Sequence, residues 1–157
     1  AQLKGDGKVL NIGVSNFTHI QFDTLSKYCD SPLITNQIEI SPYCIEQFQN
    51  DTITFLQKNG VKPMAWSPLA GGRLFQDEAA QAGSLHSTLT TIGAQLGGAT
   101  VDQVALAWIL RHPARIIPVL GTGKIERVRS AAGAEALELT REQWFSIWSA
   151  SAGGPVP

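Results

Sequence analysis

Hydrophobic and polar positions alternate between two periods along this chain. Short runs rich in β-branched residues end in a Ser, Pro or Gly break and give way to apolar stripes at helical spacing. Lys8 to Val14 (KVLNIGV) predicts a strand ending at Ser15-Asn16, and Thr18 then opens a helix with the stripe Ile20, Phe22, Leu25 and Cys29. Leu33 to Ile40 predicts a second strand and Ser41-Pro42 a break. A helix from about Ile45 to Asn59 follows, with Phe48, Ile53, Phe55 and Leu56 for packing and Gly60 as its C-terminal cap. A third strand, Val61 to Trp66, runs into the turn-rich SPLAGGRLF and a polar stretch with weak structure to about Gly83.

Two helices come next, roughly Ser84 to Leu96 and, capped by Thr100, Val101 to Arg111, which offers Val104, Leu106, Trp108 and Ile109 as apolar surface. Pro113 stops it. Arg115 to Leu120 predicts a fourth strand, Lys124 to Ala134 a helix, and Thr140 caps a last helix carrying Trp144, Phe145, Ile147 and Trp148. Strands alternating with helices predict an α/β fold with right-handed crossovers and a parallel sheet. Periodicity alone leaves two architectures open, a doubly wound sheet or half of an eight-stranded barrel. A whole barrel needs about 250 residues, more than this chain's 157.

Composition narrows the function classes. With 12 Lys+Arg against 13 Asp+Glu, the net charge of −1 leaves no basic footprint for nucleic acid or an anionic membrane. The longest apolar run, VALAWIL, is far shorter than the roughly 20 residues of a membrane helix. Cys29 and Cys44 have no metal-ligand spacing and read as ordinary packing thiols, which fits a reducing, cytoplasmic setting. His19, His86 and His112 likewise show no ligand spacing, and HExxH, GxSxG and P-loop motifs are absent.

In either architecture a ligand sits at the carboxyl ends of the strands. There the chain carries Ser15-Asn16, Gln37 with Glu39, the run Trp66-Ser67-Pro68-Leu69-Ala70-Gly71-Gly72, and Gly121-Thr122-Gly123-Lys124 with Arg127. Amides and hydroxyls for a carboxamide, an aromatic face for a flat ring, a glycine-bearing loop and cations at a helix start together suit a dinucleotide. Each has a plainer explanation: Ser15-Asn16 as helix entry, Gln37 within a structural network, Trp66 as core, and Lys124 and Arg127 with Glu126 as a solvated mixed-charge face.

The ordered set GKVLNIGVSNF (7–17), TNQIEISP (35–42), PMAWSPLAGGRLF (63–75), VALAWILRHP (104–113) and IIPVLGTGKIERV (116–128) closely resembles the aldo-keto reductase family, in wording most like its bacterial oxidoreductases. The resemblance implies a (β/α)8 TIM barrel of which residues 1–157 form one partial domain, the C-terminal half, with strands five to eight, their helices and a C-terminal helix. It implies an NADP(H)-dependent enzyme reducing aldehydes and ketones, with a small-molecule carbonyl substrate. Ser15, Asn16 and Gln37 would hold the nicotinamide carboxamide, and Trp66 would stack on its ring. Ser67, Pro68, Leu69, Ala70 and Gly71 would follow the pyrophosphate; Gly121, Thr122, Gly123, Lys124 and Arg127 would hold the 2′-phosphate. Many members place Lys at Gly121, and Glu-Asn adenine contacts at Ser130-Ala131. The Asp, Tyr, Lys and His catalytic tetrad falls on strands and loops one to four, so this chain is expected to hold none of it. Alone it should be inactive and should pair with an N-terminal half or with itself. The alternative is a non-catalytic nucleotide-binding, assembly or sensor module on the same fold.

Overall fold

The computed structural model describes residues 2–75 and 84–154; the polar stretch expected up to Gly83 lies mostly outside them. After a short helix α1 (Gln2–Gly5), the chain lays down four parallel strands in sequential order: β1 (Ile12–Ser15), β2 (Leu33–Glu39), β3 (Met64–Trp66) and β4 (Ile117–Pro118). Between and after them come α2 (His19–Tyr28), α3 (Glu46–Gln49), α4 (Thr52–Lys58), α5 (Leu85–Gln95), α6 (Val101–Leu110), α7 (Ile125–Gly133) and α8 (Arg141–Ala152). Short 3-10 turns lie within Ala70–Phe75, interrupted by a kink at Gly71 and Gly72, and at Ala134–Ala136.

The helices cover one face of the sheet. Ile38, Ile40, Ala65 and Ile116 point into a core that includes Phe22, Leu56, Leu89, Val104, Trp108 and Ile147. The register aligns Ser15, Gln37, Met64 and Ile117 as one row on the other face, with Glu39 paired to Trp66 one layer further on. No described element covers that second face. Ile117 there stays 45% exposed, so the uncovered side is not polar throughout.

Several boundaries differ from the sequence expectation, each for a local reason. The first strand starts at Ile12 rather than Lys8, because the Lys8 and Val9 amides donate back to the Leu3 carbonyl at 2.9 and 3.3 Å. Ile20 lies off the buried stripe and is 67% exposed, since it sits about 160° round the helix from Phe22. The long helix expected from Ile45 to Asn59 is two, broken where Asp51 takes a left-handed φ of 65° and the Asn50 side chain accepts from the Thr52 amide. Gly60, at φ 69°, does close the second piece. The third strand loses its first residues because the Val61 amide is used by the Leu56 carbonyl and Pro63 has no amide hydrogen. The fourth is only Ile117–Pro118, preceded by a left-handed Arg115 (φ 55°).

His112, at the end of α6, lies against the Phe48 and Trp144 rings, and its Nδ1 accepts from the Ala114 amide at 3.2 Å. Burial pushes its imidazole below the ordinary value of 6.5. Between the folded value and about 6.5 the unfolded chain binds the extra proton, so this contribution to stability is full above about 6.5 and is lost as the pH falls through that window. We expect His112→Asn, whose Oδ1 can replace Nδ1 as acceptor, to flatten that slope in urea melts between pH 7 and 5. An unchanged slope would assign the acid sensitivity elsewhere.

Candidate functional site

The carboxyl ends of the strands gather most of the expected site residues. Asn16 adopts a left-handed φ of 57°, a conformation that asparagine tolerates better than most residues. Its amide and the Ser15 hydroxyl both donate to the Gln37 carbonyl at 2.9 Å. The Trp66 indole Nε1 donates to Asn16 Oδ1 at 2.9 Å. Trp66 belongs to β3 and Asn16 follows β1, so with strands roughly 5 Å apart the indole must lie across the end of β2. That hydrogen bond anchors the indole edge at the strand end, where Gln37 and Glu39 lie on the same uncovered face of β2. Trp66 is only part-buried and is not a core residue.

The Gln37 side-chain amide has no hydrogen-bond partner among the described residues, although it carries two donors and an acceptor. Its main chain, by contrast, is the hinge on which Ser15 and Asn16 turn.

Asn36 is the site residue that sequence reading missed. It is fully buried, its Nδ2 donates to the Phe17 carbonyl at 2.7 Å, and its Oδ1 accepts from the Phe17 amide at 3.3 Å. That pair of bonds ties the turn after β1 to β2 and so places Asn16. The available signal was parity: Asn36 shares the core face with Ile38 and Ile40, where a polar side chain needs a dedicated partner.

The loop after β3 holds Ser67 (φ 49°), Ala70 (φ 52°), Gly71 (φ 63°) and Gly72 (φ 93°) in left-handed backbone, so it turns sharply over the sheet end. Pro68 and Ala70 are buried and Leu69 packs into both hydrophobic clusters, leaving Ser67, Gly71 and, further on, Arg73 among the groups it presents outward. Leu69 shares the smaller cluster with Leu120, which brings this loop beside the one after β4.

There, Gly121 and Gly123 have no left-handed φ and a Cβ on either would meet nothing within 4 Å, so the fold itself makes no demand for glycine. The Lys124 amide donates to the Thr122 hydroxyl at 3.2 Å, and Lys124 caps α7 without a side-chain acceptor. Lys124 and Arg127 are both exposed and have no ion-pair partner among the described residues. No hydrogen bond joins this patch to the Asn16–Trp66 group; the two share only the sheet end.

These features define an α/β protein whose candidate site residues gather at the carboxyl ends of parallel strands. The aldo/keto reductase family model matches residues 1–152, and the chain belongs to that family. It is 46% identical to Oxidoreductase YdhF of Escherichia coli (strain K12) over 99% of this chain and 51% of the relative. It is 43% identical to a 6-dehydroglucose reductase of Agrobacterium fabrum (strain C58 / ATCC 33970) over 98% of this chain and 50% of that protein. Among solved structures, a thermostable aldo-keto reductase crystallised with the inhibitor epalrestat superposes with a TM-score of 0.81 at 25% identity, covering 93% of this chain and 50% of that one. The chain therefore spans about half the length of the relatives it matches, and its four sequential parallel strands with their helices accord with the (β/α)8 fold of that family. Among the described residues no helix is long and apolar enough to cross a membrane, and no cluster of His, Cys, Asp or Glu could hold a metal ion.

Proposed function

We propose that this chain is the C-terminal, cofactor-binding half of an NADP(H)-dependent carbonyl reductase acting on a small aldehyde or ketone. The observation that carries this reading is the Trp66–Asn16 hydrogen bond, which anchors an aromatic ring at the strand end that also carries the unpartnered Gln37 carboxamide. The residues fit the cofactor. Gln37, with Ser15 and Asn16, offers donors and acceptors to a nicotinamide carboxamide, and Trp66 offers its face to the ring. Ser67 and Gly71, with the backbone of Pro68, Leu69 and Ala70, border the pyrophosphate path. Gly121 and Gly123 let a phosphate approach the backbone, and Thr122, Lys124 and Arg127 supply the cationic helix start that a 2′-phosphate needs.

When bound, the cofactor supplies the hydride. This chain's part is to bind, orient and flatten the nicotinamide against Trp66. On this reading the general acid is supplied by strands outside residues 1–157; the strand rows Ser15, Gln37, Met64, Ile117 and Glu39, Trp66 carry no Tyr, His or Lys. On this reading further strands come from an N-terminal half or a second copy, which would cover the open face, Ile117 included, and pair the edges of β1 and β4. Cys29 and Cys44 are both free, which suits the cytoplasm.

Titration of the chain with NADPH, following tryptophan emission, tests the reading. Saturable quenching is expected from Trp66 alone, because Trp108, Trp144 and Trp148 are clustered between α6 and α8. Trp66→Phe should remove that change, and quenching that survives the substitution would place the cofactor elsewhere.

A further inference from the structure

The amide polarity of Asn16 is fixed by what faces it. An indole N–H can only donate, so the Asn16 atom 2.9 Å from Trp66 Nε1 is Oδ1, and Nδ2 is left over. Asn16 is exposed, and its Nδ2 makes no hydrogen bond among the described residues. The Ser15 hydroxyl gives its one proton to the Gln37 carbonyl, which leaves Ser15 Oγ as an acceptor. Two adjacent residues thus offer one free donor and one free acceptor at the strand end.

That presentation depends on Asn16 keeping its left-handed backbone, at φ 57°, a conformation that persists where the surrounding structure over-determines it. On one side the Asn16 amide and Ser15 are bound to the Gln37 carbonyl. On the other, Thr18 is committed to the capping box of α2 with Gln21. Between them Phe17 is gripped by both polar atoms of Asn36, whose Oδ1 accepts from the Phe17 amide while its Nδ2 donates to the Phe17 carbonyl. Asn36 is fully buried, its side chain makes no other hydrogen bond among the described residues, and Ile38 and Ile40 on the same face ask for no polar atom. Its amide serves the turn alone. We infer that Asn36 is a positioning residue for the ring end of the ligand: from the core side of β2 it holds Asn16 so that Nδ2 is free beside Ser15 Oγ. A planar carboxamide then fits in one orientation, its carbonyl oxygen on Asn16 and its N–H on Ser15. Naming that ligand group rests on the cofactor reading above; the grip of Asn36 on the turn is measurable without ligand.

Isotope labelling of the indole nitrogens in the full chain gives each tryptophan one N–H resonance in NMR spectra, and the one missing from Trp66→Phe belongs to Trp66. Asn36→Ser, too short to hold both Phe17 groups, should shift that resonance. The Trp108 and Trp144 indole resonances, whose hydrogen bonds join α6 to α8, should stay in place and so verify the fold. NADPH and NADH affinities should fall together, by about fivefold to tenfold, because the ring end is common to both. Asn36→Asp supplies a rescue: ionised, it repels the Phe17 carbonyl, and protonated, its O–H donates in place of Nδ2–H. Burial raises the pKa of such a carboxyl, so the Trp66 resonance should be displaced at about pH 8 and return to its parent position by about pH 5.5. A Trp66 resonance that moves in neither variant, a shift of all the indole resonances together, or unchanged affinities in a chain whose Trp66 resonance has moved overturns the inference. Binding of neither cofactor by the parent chain removes the cofactor reading, while a shift confined to Trp66 upholds Asn36 as the residue that sets Asn16.

Discussion

Replacing Trp108 with alanine should cost about 3–5 kcal/mol. Its side chain is fully buried, stacks on Trp144 at 5.2 Å and 18°, and meets Phe48 edge-on at 5.6 Å. The two indoles also exchange hydrogen bonds across the helix pair: Trp108 Nε1 donates to the Trp144 carbonyl at 3.1 Å and Trp144 Nε1 to the Trp108 carbonyl at 2.9 Å. Truncation opens a cavity between α6 and α8 and removes the indole donor to the Trp144 carbonyl. Against a domain stability of about 5–15 kcal/mol that is a large fraction, so the urea midpoint should fall steeply at an unchanged slope. Trp108→Phe keeps most of the ring contact and should lose less than half as much. Equal losses would mean that the hydrogen bond, not the volume, holds α8 in place.

The parts of the fold that could be read from the sequence are those written in nearby residues. Thr18 with Gln21 and Thr140 with Gln143 form reciprocal capping boxes, and both helix starts fall where those pairs put them. The break at Asn50–Asp51 was invisible because it depends on a left-handed aspartate, which the apolar spacing on either side does not mark. The candidate site behaves in the same way. Asn16, Gln37 and Trp66 could be nominated as residues at strand ends, but the bond that spans 50 residues between Asn16 and Trp66 follows from parallel register, which no local pattern encodes. Asn36 was passed over because its role is to satisfy Phe17 from the core side of the strand.

Lys124→Ala combined with Arg127→Ala should lower NADPH affinity by about 10²–10⁴-fold, from roughly 1.5–3 kcal/mol for each charge-assisted contact, and leave NADH nearly unaffected. Without ligand the same substitutions should not destabilise the protein. Lys124 is the N-cap of α7 and Arg127 lies in its first turn, where cations oppose the helix dipole at about 0.3–1 kcal/mol each. Neither side chain makes an ion pair or hydrogen bond among the described residues that its removal would break. A double variant that melts at the same temperature or higher, yet loses NADPH selectively, would identify the two cations as placed for a phosphate at the expense of the helix. Parallel loss of both cofactors would instead mean that α7 had shifted, and no loss would leave the pair as the solvated face that Glu126 beside them also suits. Lys124 and Arg127 lie at the same sheet end as Trp66 but share no hydrogen bond with it, so a cycle of Trp66→Phe with the double variant separates ring stacking from phosphate capture. Additive free energies are expected for contacts at opposite ends of one ligand, and a coupling above about 0.5 kcal/mol would show that the two ends are not independent.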